Sequence, residues 1–414
     1  MRILIFFLLI INLYGSDLTI EVKKEVGTLP SLALEDSSND FDLTFQMGFF
    51  KALYADMNVI SLFNVDRHRI LIDFDASDVG VEHKDFSYTL RYKLINLDGM
   101  LGVDMKLFQN HQVVLSKKYK IANKNSYIFL AHTIAYDINK FLGAKDISWI
   151  KRKVIFAKVT APKQSEIVIA DYTLTYQHAI ISGGFNIFPK WANQEQTAIY
   201  YTSFNEKTPT LKYLDFKTGR VSTIATSEGM IVCSDVSADG NKILITMAPK
   251  GQPDIYLYQV DSKKFQRITT YPGIDVNGNF LEGGQIVFVS DRLGYPNIFT
   301  KKIGESSVEQ LVYYGKTNAA CSAHGKYVVY KARESSNLFS KNTFNLHLVS
   351  LESDFIRRLT ATGVNEFPRF SRDGNAILFI KNYKQQSAIG IIKLDSNKNY
   401  LFPIKNGRIQ SLDW

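Results

Sequence analysis

The sequence predicts an α/β N-terminal domain followed by an all-β six-bladed β-propeller that is closed by the C-terminal strand. Three observations carry this prediction. Apolar residues recur at helical spacing only in the first 148 residues, and beyond them short apolar runs repeat every 41–50 residues. Aromatic residues make up 13% of the chain, which suits half-buried strands. The six apolar runs begin at residues 153, 197, 242, 285, 326 and 376.

The first 16 residues, MRILIFFLLIINLYGS, have the pattern of a secretory signal peptide. Arg2 provides a positive start, 3–13 is apolar apart from Asn12, and Gly15 and Ser16 are small enough for signal cleavage. The apolar run is too short for a membrane-spanning helix, which needs about 20 residues. We therefore expect residues 1–16 to be a signal peptide and the mature protein to be exported.

The charge of the chain is positive, with 49 Lys plus Arg against 40 Asp plus Glu and a net charge of +9. Removing the signal peptide, which contains one Arg, leaves +8 (9 − 1). Such a balance is compatible with nucleic acid, anionic lipid or simple solubility. Export argues against nucleic acid as a partner.

Residues 17–148 mix strand and helix patterns and are expected to form the α/β domain. Helical spacing predicts one helix over 42–57, capped by Asp40 or Asp42, and a second over 126–142. Between the helices, strand-like runs at 59–65 and 70–74 precede a β-hairpin that turns at Asp98-Gly99.

The propeller is expected over residues 149–414. Each apolar run is followed by a second run, several units add a third, and most are preceded by a strand that ends in an apolar anchor and a Gly turn, as at 367–374. A four-stranded sheet cannot bury both of its faces alone, so repeats of this length stack as blades around an axis. An array of β-sandwiches, the alternative, gives no reason for six similar units.

The end of the chain is expected to complete the first blade. That blade has no strand of its own before residue 153, and the chain ends in IQSLDW, residues 409–414. Trp414 lies 44 residues after Phe370, which is the repeat distance. Pairing this run with the first blade would remove an open sheet edge.

The two cysteines, Cys233 and Cys321, are expected to be free thiols. They are predicted to lie on the inner strands of the third and fifth blades, two blades apart. A disulfide needs Cα atoms within about 7 Å, which this separation does not allow.

No catalytic constellation is present in the sequence. It contains no G-x-S-x-G, H-E-x-x-H, C-x-x-C, P-loop or G-x-G-x-x-G motif, and its seven histidines have no partner at metal-ligand spacing. Asp-Gly pairs at 239–240 and 373–374 are interpreted as β-turns between strands. His132, beside the apolar stripe of the second helix, is expected to hydrogen-bond across the domain junction. No enzyme activity, cofactor or metal is predicted.

Two regions are candidate partner sites. The loops that lead into the inner strands converge around the central opening, where a rigid propeller presents side chains to a partner. The residues predicted there are Asn186, Met230, Asp275, Asn318, Asn365 and Glu366. The second region is 17–25, whose alternating pattern puts Leu18, Ile20 and Val22 on one apolar side. It could pair with a partner as an edge strand or be a permanent strand of the N-terminal domain.

Three stretches of the chain form distinctive motifs. AHTIAYDINKFLG (131–143) is followed by ISWIKRKVIFAKV (147–159), PRFSRDG (368–374) has the form P-x-[W/F]-S-x-D-G, and VSDRLGYPNIF (289–299) has the form S-D-x-x-G-x-P-x-I-[Y/F] from its Ser onward. These motifs are similar to the interdomain helix with first propeller strand, the anchor and a further motif of the TolB family, the periplasmic propeller proteins of the Tol–Pal envelope system. The sequence departs from the family pattern where Ser234 and Gly278 replace the anchor proline. The stretch 75–84 is polar where a buried strand is expected.

The resemblance implies a non-enzymatic, monomeric periplasmic adaptor. In this family the propeller face receives Pal, an OmpA-like lipoprotein, and the N-terminal segment engages TolA in support of outer-membrane integrity and cell division; other outer-membrane proteins are possible further partners. The alternative is a periplasmic propeller enzyme, such as a lyase, or a glycan-binding protein with its site at the channel. Such an enzyme would need a His, Arg or metal-ligand cluster there, whereas the predicted inner strands offer Trp191, Val236, Phe280, Cys321 and Phe370.

Overall fold

The computed structural model describes residues 29–334, 343–383 and 386–414. The predicted signal peptide and the segment 17–25, with Leu18, Ile20 and Val22, lie outside these residues. Within the described chain, no helix combines the length and the apolar character that crossing a membrane requires.

The N-terminal part is a five-stranded mixed sheet with two α-helices in its described residues. In chain order the elements are β1 (Ser31–Asp36), α1 (Leu43–Ile60), β2 (Asn64–Leu71), β3 (Tyr88–Leu97), β4 (Met100–Gln109), β5 (Gln112–Ile121) and α2 (Tyr127–Phe141). The spatial order is β2-β1-β3-β4-β5, with β1 parallel to both of its neighbours and the rest antiparallel. An α/β domain was predicted here, and the hairpin turn at Asp98-Gly99 joins β3 to β4.

Helix α1 begins where predicted but ends later. Asp42 is its N-cap and accepts a hydrogen bond from the backbone N–H of Phe45 at 2.9 Å. The helix runs on to Ile60 and ends at Ser61, which has a left-handed backbone conformation. The prediction of two strands at 59–65 and 70–74 is therefore wrong. The first run begins inside the helix, and a single strand, β2, covers the end of the first run and the start of the second. Val59 and Ile60 are buried, and helix and strand bury such a short apolar run equally well.

The polar stretch 75–84 is a loop with a single turn of 3₁₀ helix and not a buried strand. It covers β1 through a buried ionic network centred on Glu35. The Glu35 carboxylate accepts from the Gly80 N–H at 2.6 Å and from Arg91 Nε at 2.8 Å, and it lies 3.0 Å from His83 Nδ1. Arg91 also donates to two backbone carbonyl oxygens of the loop. These bonds satisfy the loop's polar groups, so it can be held against the sheet without apolar side chains of its own.

From Val154 onward the described chain forms six antiparallel four-stranded units, in agreement with the predicted propeller. Each unit uses consecutive strands except the first, whose inner strand comes from the C-terminus. The strands of the first three units are β6 (Val154–Ala161), β7 (Gln164–Ala170) and β8 (Gln177–Ile181); β9 (Asn186–Trp191), β10 (Ala198–Ser203), β11 (Thr210–Asp215) and β12 (Val221–Thr226); and β13 (Ile231–Val236), β14 (Lys242–Met247), β15 (Asp254–Gln259) and β16 (Lys264–Arg267).

The remaining units follow the same pattern. Their strands are β17 (Asp275–Phe280), β18 (Gln285–Ser290), β19 (Asn297–Lys302) and β20 (Glu309–Gln310); β21 (Asn318–His324), β22 (Tyr327–Glu334), β23 (Thr343–Ser350) and β24 (Ile356–Arg358); and β25 (Val364–Phe370), β26 (Ala376–Tyr383), β27 (Gln386–Lys393) and β28 (Lys398–Pro403). A parallel bridge between Phe344 and Val364 joins the fifth and sixth units into one continuous sheet.

The last strand, β29 (Arg408–Asp413), pairs antiparallel with β6 and so supplies the inner strand of the first unit. Trp414, directly after it, donates from its indole N–H to the carbonyl oxygen of Phe370 in the sixth unit at 2.8 Å. The Trp414 ring also packs 5.6 Å from the ring of Trp149, which precedes the first unit. The C-terminus therefore contacts the beginning and the end of the repeat array.

The two parts of the molecule share one apolar core. Buried residues of both helices and of β1, β3 and β4 form a single cluster with residues of β6, β7, β26, β27 and β29. At this junction His132 of α2 hydrogen-bonds Asp56 of α1 and lies 3.4 Å from Asp171, which follows β7. The hydrogen bond expected from His132 across the junction is absent among the described atoms, and a charge contact of 3.4 Å with Asp171 takes its place.

Replacing Trp414 with alanine should lower the free energy of unfolding by ~3 kcal/mol, because a buried aromatic that joins three parts of the fold is lost. Deleting residues 409–414 should have a larger effect, since it exposes the edge of β6. The measurement is urea unfolding monitored by far-UV circular dichroism, which does not depend on the fluorescence of the deleted tryptophan.

The matched control is Tyr314→Ala, because the Tyr314 side chain is 76% exposed and its loss should change stability by no more than about 0.5 kcal/mol. Equal losses in the Trp414 and Tyr314 variants would contradict the role assigned to the C-terminus.

Cys233 and Cys321 are both buried and free, as predicted, and they lie on β13 and β21, the inner strands of the third and fifth units. Burial raises the pKa of the Cys321 thiol to about 12 and that of Cys233 further still. The native protein at pH 8 should therefore resist alkylation by iodoacetamide. The denatured, unreduced protein should take up two labels per chain by mass spectrometry, and no uptake would show a disulfide instead.

Candidate functional site

The six inner strands of the described propeller surround a central channel. A cavity of about 220 Å³ lies in this channel and is lined by residues from every one of these strands. One lining residue from each strand, in chain order, is Phe188, Cys233, Asn277, Cys321, Pro368 and Leu412. The channel is therefore built jointly by sequence segments that lie as much as 224 residues apart (412 − 188).

A β-bulge interrupts every one of the six inner strands where it pairs with its neighbour. Four residues at these bulges, none of them glycine, have positive φ angles of 49–56°: Phe188, Asn277, Ala320 and Phe367. A bulge frees backbone groups from the ladder and changes the direction of the strand. Adjacent units stabilise two of these positive-φ residues. The Phe188 N–H donates to Ser411 Oγ and the Asn277 N–H donates to Thr246 Oγ1, both at 3.0 Å.

Near the bulges, charged side chains of the inner strands form a ring in which positive and negative groups are equal in number. Lys190 Nζ lies 3.0 Å from Asp413 Oδ1 and 3.3 Å from Asp235 Oδ1. Arg369 lies 4.0 Å from the same Asp413 oxygen and donates to Asn279 Oδ1 at 3.3 Å. Each cation has a carboxylate partner, so the ring joins the units to one another and carries no excess of either charge.

The channel lining offers little acid–base or metal chemistry. No histidine is among the residues that line the described cavity. Across the described ranges, no group of three or more His, Cys, Asp or Glu side chains could hold a metal ion. The two thiols in the lining are neutral at physiological pH because burial raises the pKa of each.

Four of the predicted site residues are buried polar groups at the start of inner strands. Asn186, Asp275, Asn318 and Asn365 are at most 3% exposed. Their side chains bond to the loops that lead into these strands or to neighbouring strands: Asn318 Nδ2, for example, donates to the carbonyl oxygen of Tyr314 at 2.7 Å. Asp275 pairs with Arg292, in the turn after β18, at 3.2 Å. The structure thus gives these four a role in shaping the loops, and their contact with a partner stays a prediction.

The other two predicted site residues are more accessible. Met230, directly before β13, is 38% exposed and also lines the channel cavity. Glu366 is half-buried, pairs with Lys331 at 3.2 Å and accepts from Asn382 Nδ2 at 2.8 Å. A partner that approached the channel would meet Met230 before it met the buried asparagines.

Around the channel mouth, exposed apolar side chains form what we call the apolar rim. They lie in loops leading into inner strands, or at the ends of second strands and in the turns that follow them, and antiparallel pairing places these positions at the same end of the propeller. Hydrogen bonds join the two kinds of loop, as between the Phe204 N–H and the carbonyl oxygen of Phe185 at 2.9 Å. The rim consists of Phe204, Met230, Ile274, Leu293, Tyr313, Tyr314 and Tyr383.

Sequence reasoning named only Met230 of this rim. The signal was present, because large apolar residues stand in segments between strands, where turns are ordinarily polar. Tyr313 and Tyr314 are the most exposed of them, at 73% and 76%. Exposed aromatic clusters of this kind mark interaction surfaces more often than single exposed apolar residues do.

Comparison with known proteins agrees with this architecture. Residues 143–414 match the family model described as the TolB beta propeller domain. The Tol-Pal system protein TolB of Wolinella succinogenes is 46% identical and that of Campylobacter jejuni 40% identical. The alignments cover 100% and 99% of this chain and 100% and 98% of those proteins. A crystal structure of TolB from Acinetobacter baumannii superposes with a TM-score of 0.76 at 20% identity, covering 93% of this chain and 97% of that one, and shows the same fold.

The resemblance inferred from the three motifs is therefore confirmed over the full length of the chain. The chain belongs to the TolB family of Tol–Pal system proteins.

Proposed function

We propose that the protein is a non-enzymatic periplasmic adaptor that binds two partners of the Tol–Pal system. Its propeller binds a Pal-like lipoprotein of the OmpA family, and its N-terminal segment binds a TolA-like inner-membrane protein. Through these contacts it supports outer-membrane integrity and cell division. The family membership of the chain supports the assignment to this system, and the form of the propeller supports the proposed contact with Pal.

The apolar rim is the observation that carries the propeller half of this proposal. It surrounds a channel mouth on the face opposite the N-terminal domain, which packs against turns at the other end, where Asn375 donates to the carbonyl oxygen of Asp146. A folded partner can therefore reach the rim without displacing the N-terminal domain. Burial of aromatic and aliphatic side chains is the main source of affinity at such surfaces.

The channel itself adds a recess at the centre of the rim. Its cavity of about 220 Å³ is large enough for one or a few side chains of a partner. Phe188, Met230 and Val232 are among the apolar residues that line it. A central recess surrounded by exposed apolar residues is the usual arrangement of binding hot spots. The buried asparagines beneath the rim keep its loops in place.

The alternative of a lyase-like enzyme or a glycan-binding protein draws no support from this channel. General acid–base chemistry needs titratable groups that reach a substrate, and metal-assisted chemistry needs a ligand cluster. In the described lining, the cations Lys190 and Arg369 are already engaged by carboxylate or amide partners. We therefore favour the adaptor.

Replacing Tyr314 and Ile274 together with alanine should weaken binding of the soluble domain of the organism's own Pal-like lipoprotein about tenfold or more, because two exposed apolar contacts are lost. Isothermal titration calorimetry measures the change. The control is Phe355→Ala, because Phe355 is 48% exposed at the opposite end of the propeller. Equal affinity of the rim variant and the wild type would contradict the proposed face.

Replacing Leu18, Ile20 and Val22 together with serine should abolish binding of the soluble part of a TolA-like inner-membrane protein and leave Pal binding unchanged. The control replaces Thr19, Glu21 and Lys23, on the other side of the same alternating pattern, with serine. Unchanged TolA binding in the first variant would refute the proposed site. If the segment is a permanent strand instead, the first variant will have a lower melting temperature.

A further inference from the structure

A buried ionic cluster joins the two domains. Asp56 of α1, His132 of α2 and Asp171 of the propeller have fully buried side chains. His132 Nδ1 lies 2.8 Å from Asp56 Oδ2, and His132 Nε2 lies 3.4 Å from Asp171 Oδ2. The imidazole thus stands between a carboxylate of its own domain and a carboxylate of the other.

Each member of the cluster is held in position by further contacts. Asp171 accepts hydrogen bonds from the backbone N–H groups of Thr173 at 2.7 Å and Tyr176 at 2.6 Å, so it is fixed to its own turn. The Tyr172 hydroxyl donates to Asp56, and its ring packs 4.8 Å from the imidazole of His132. His132 Nε2 makes no hydrogen bond to any other described atom. Its contact across the junction is therefore the charge interaction with Asp171.

We propose that His132 is a pH-sensitive ionic lock between the two domains: as an imidazolium it bridges Asp56 and Asp171, and when it loses its proton the junction loosens. The neutral ring cannot offset both buried carboxylates, and an unpaired buried charge is costly. Relaxation requires the Asp171 turn to move away from α2, which changes how the propeller sits against the N-terminal domain.

The titration of the surrounding groups fits this assignment. Burial alone would lower the pKa of His132, but the charges of Asp56 and Asp171 outweigh it and raise the pKa to about 9. Burial raises the pKa of Asp56 and outweighs the charge and hydrogen bond of His132, which would lower it. Interactions with His132 and Thr173 outweigh burial at Asp171 and lower its pKa.

Among the residues that the structure describes, the other titratable groups that face the cluster are tyrosines. Tyr127 at the start of α2, Tyr172 after β7 and Tyr400 of β28 all have pKa values raised by burial. They stay neutral between pH 6 and pH 9. Of the histidine and the tyrosines at the cluster, His132 is thus the one that changes charge in that interval. Because its pKa is higher in the folded state than in the unfolded chain, its contribution is complete below pH 6.5 and is lost as the pH rises through about 9.

The experiment compares the wild type with His132→Gln at pH 6.5 and pH 9.5. The melting temperature of the wild type should fall by several degrees more than that of His132→Gln over this interval. The control is His83→Gln, which removes a buried histidine that pairs with Glu35 inside the N-terminal domain and should keep the wild-type response. A wild-type response in His132→Gln would overturn the proposal.

A distance measurement separates a lock from a purely stabilising contact. Spin labels on Lys120→Cys in β5 and Lys217→Cys after β11 report on the two domains, and the native thiols are buried and stay unlabelled. The distribution should be narrow at pH 6.5 and broader at pH 9.5 in the wild type, and broad at both in His132→Gln. Identical wild-type distributions at the two pH values would refute the lock.

If His132→Gln does not fold, Asp56→Asn tests the same proposal. This variant keeps a hydrogen-bonding group beside His132 but removes one of the two carboxylate charges. The pH midpoint of the distance change should then move to lower pH than in the wild type. An unchanged midpoint would overturn the proposal.

Discussion

The pairing of the C-terminal strand with the first propeller strand is the constraint on which the rest of this structure depends. An open antiparallel sheet leaves a row of backbone groups unpaired at its edge. β29 covers that edge of β6 over the register from Arg408 with Val159 to Asp413 with Ile155. The same strand then positions the Asp413 carboxylate, which accepts from the Trp191 N–H and pairs with Lys190 in the next unit. The ring of units and the geometry of the channel therefore rest on one strand pairing.

The bulges of the inner strands connect this packing to the candidate site. Regular strands would point their side chains alternately to the two faces of the sheet. A bulge in each strand breaks that alternation and brings backbone groups toward the channel, where hydroxyls of adjacent units receive them. Non-glycine residues with positive φ are tolerated here because the surrounding sheets hold them in place. The rigid platform that a docking partner requires is thus obtained from contacts between units.

The junction between the domains combines two kinds of interaction. The shared apolar core provides area without direction, whereas the cluster of Asp56, His132 and Asp171 is directional and depends on protonation. Further contacts reinforce the junction at α1, where Lys393 Nζ donates to the carbonyl oxygen of Ile60 at 2.8 Å. A change in charge at the cluster would act on a contact that lies between the N-terminal domain and the first unit. That unit also contains β29, so the junction and the channel share a structural element.

The sequence by itself determined the repeat, the fold class, the use of the C-terminus as a strand and the free state of both thiols. Each of these follows from local periodicity or from spacing along the chain, which hydrophobic patterning encodes directly. The tertiary structure alone decided that the polar stretch 75–84 is a loop held by Glu35 and Arg91, that three asparagines and one aspartate of the predicted site are buried, and that an apolar rim surrounds the channel. These features depend on which side chains meet across units and domains. Local periodicity gives no distance between residues that are far apart in the chain. Only the packing of the two domains brings His132 close to Asp56 and Asp171.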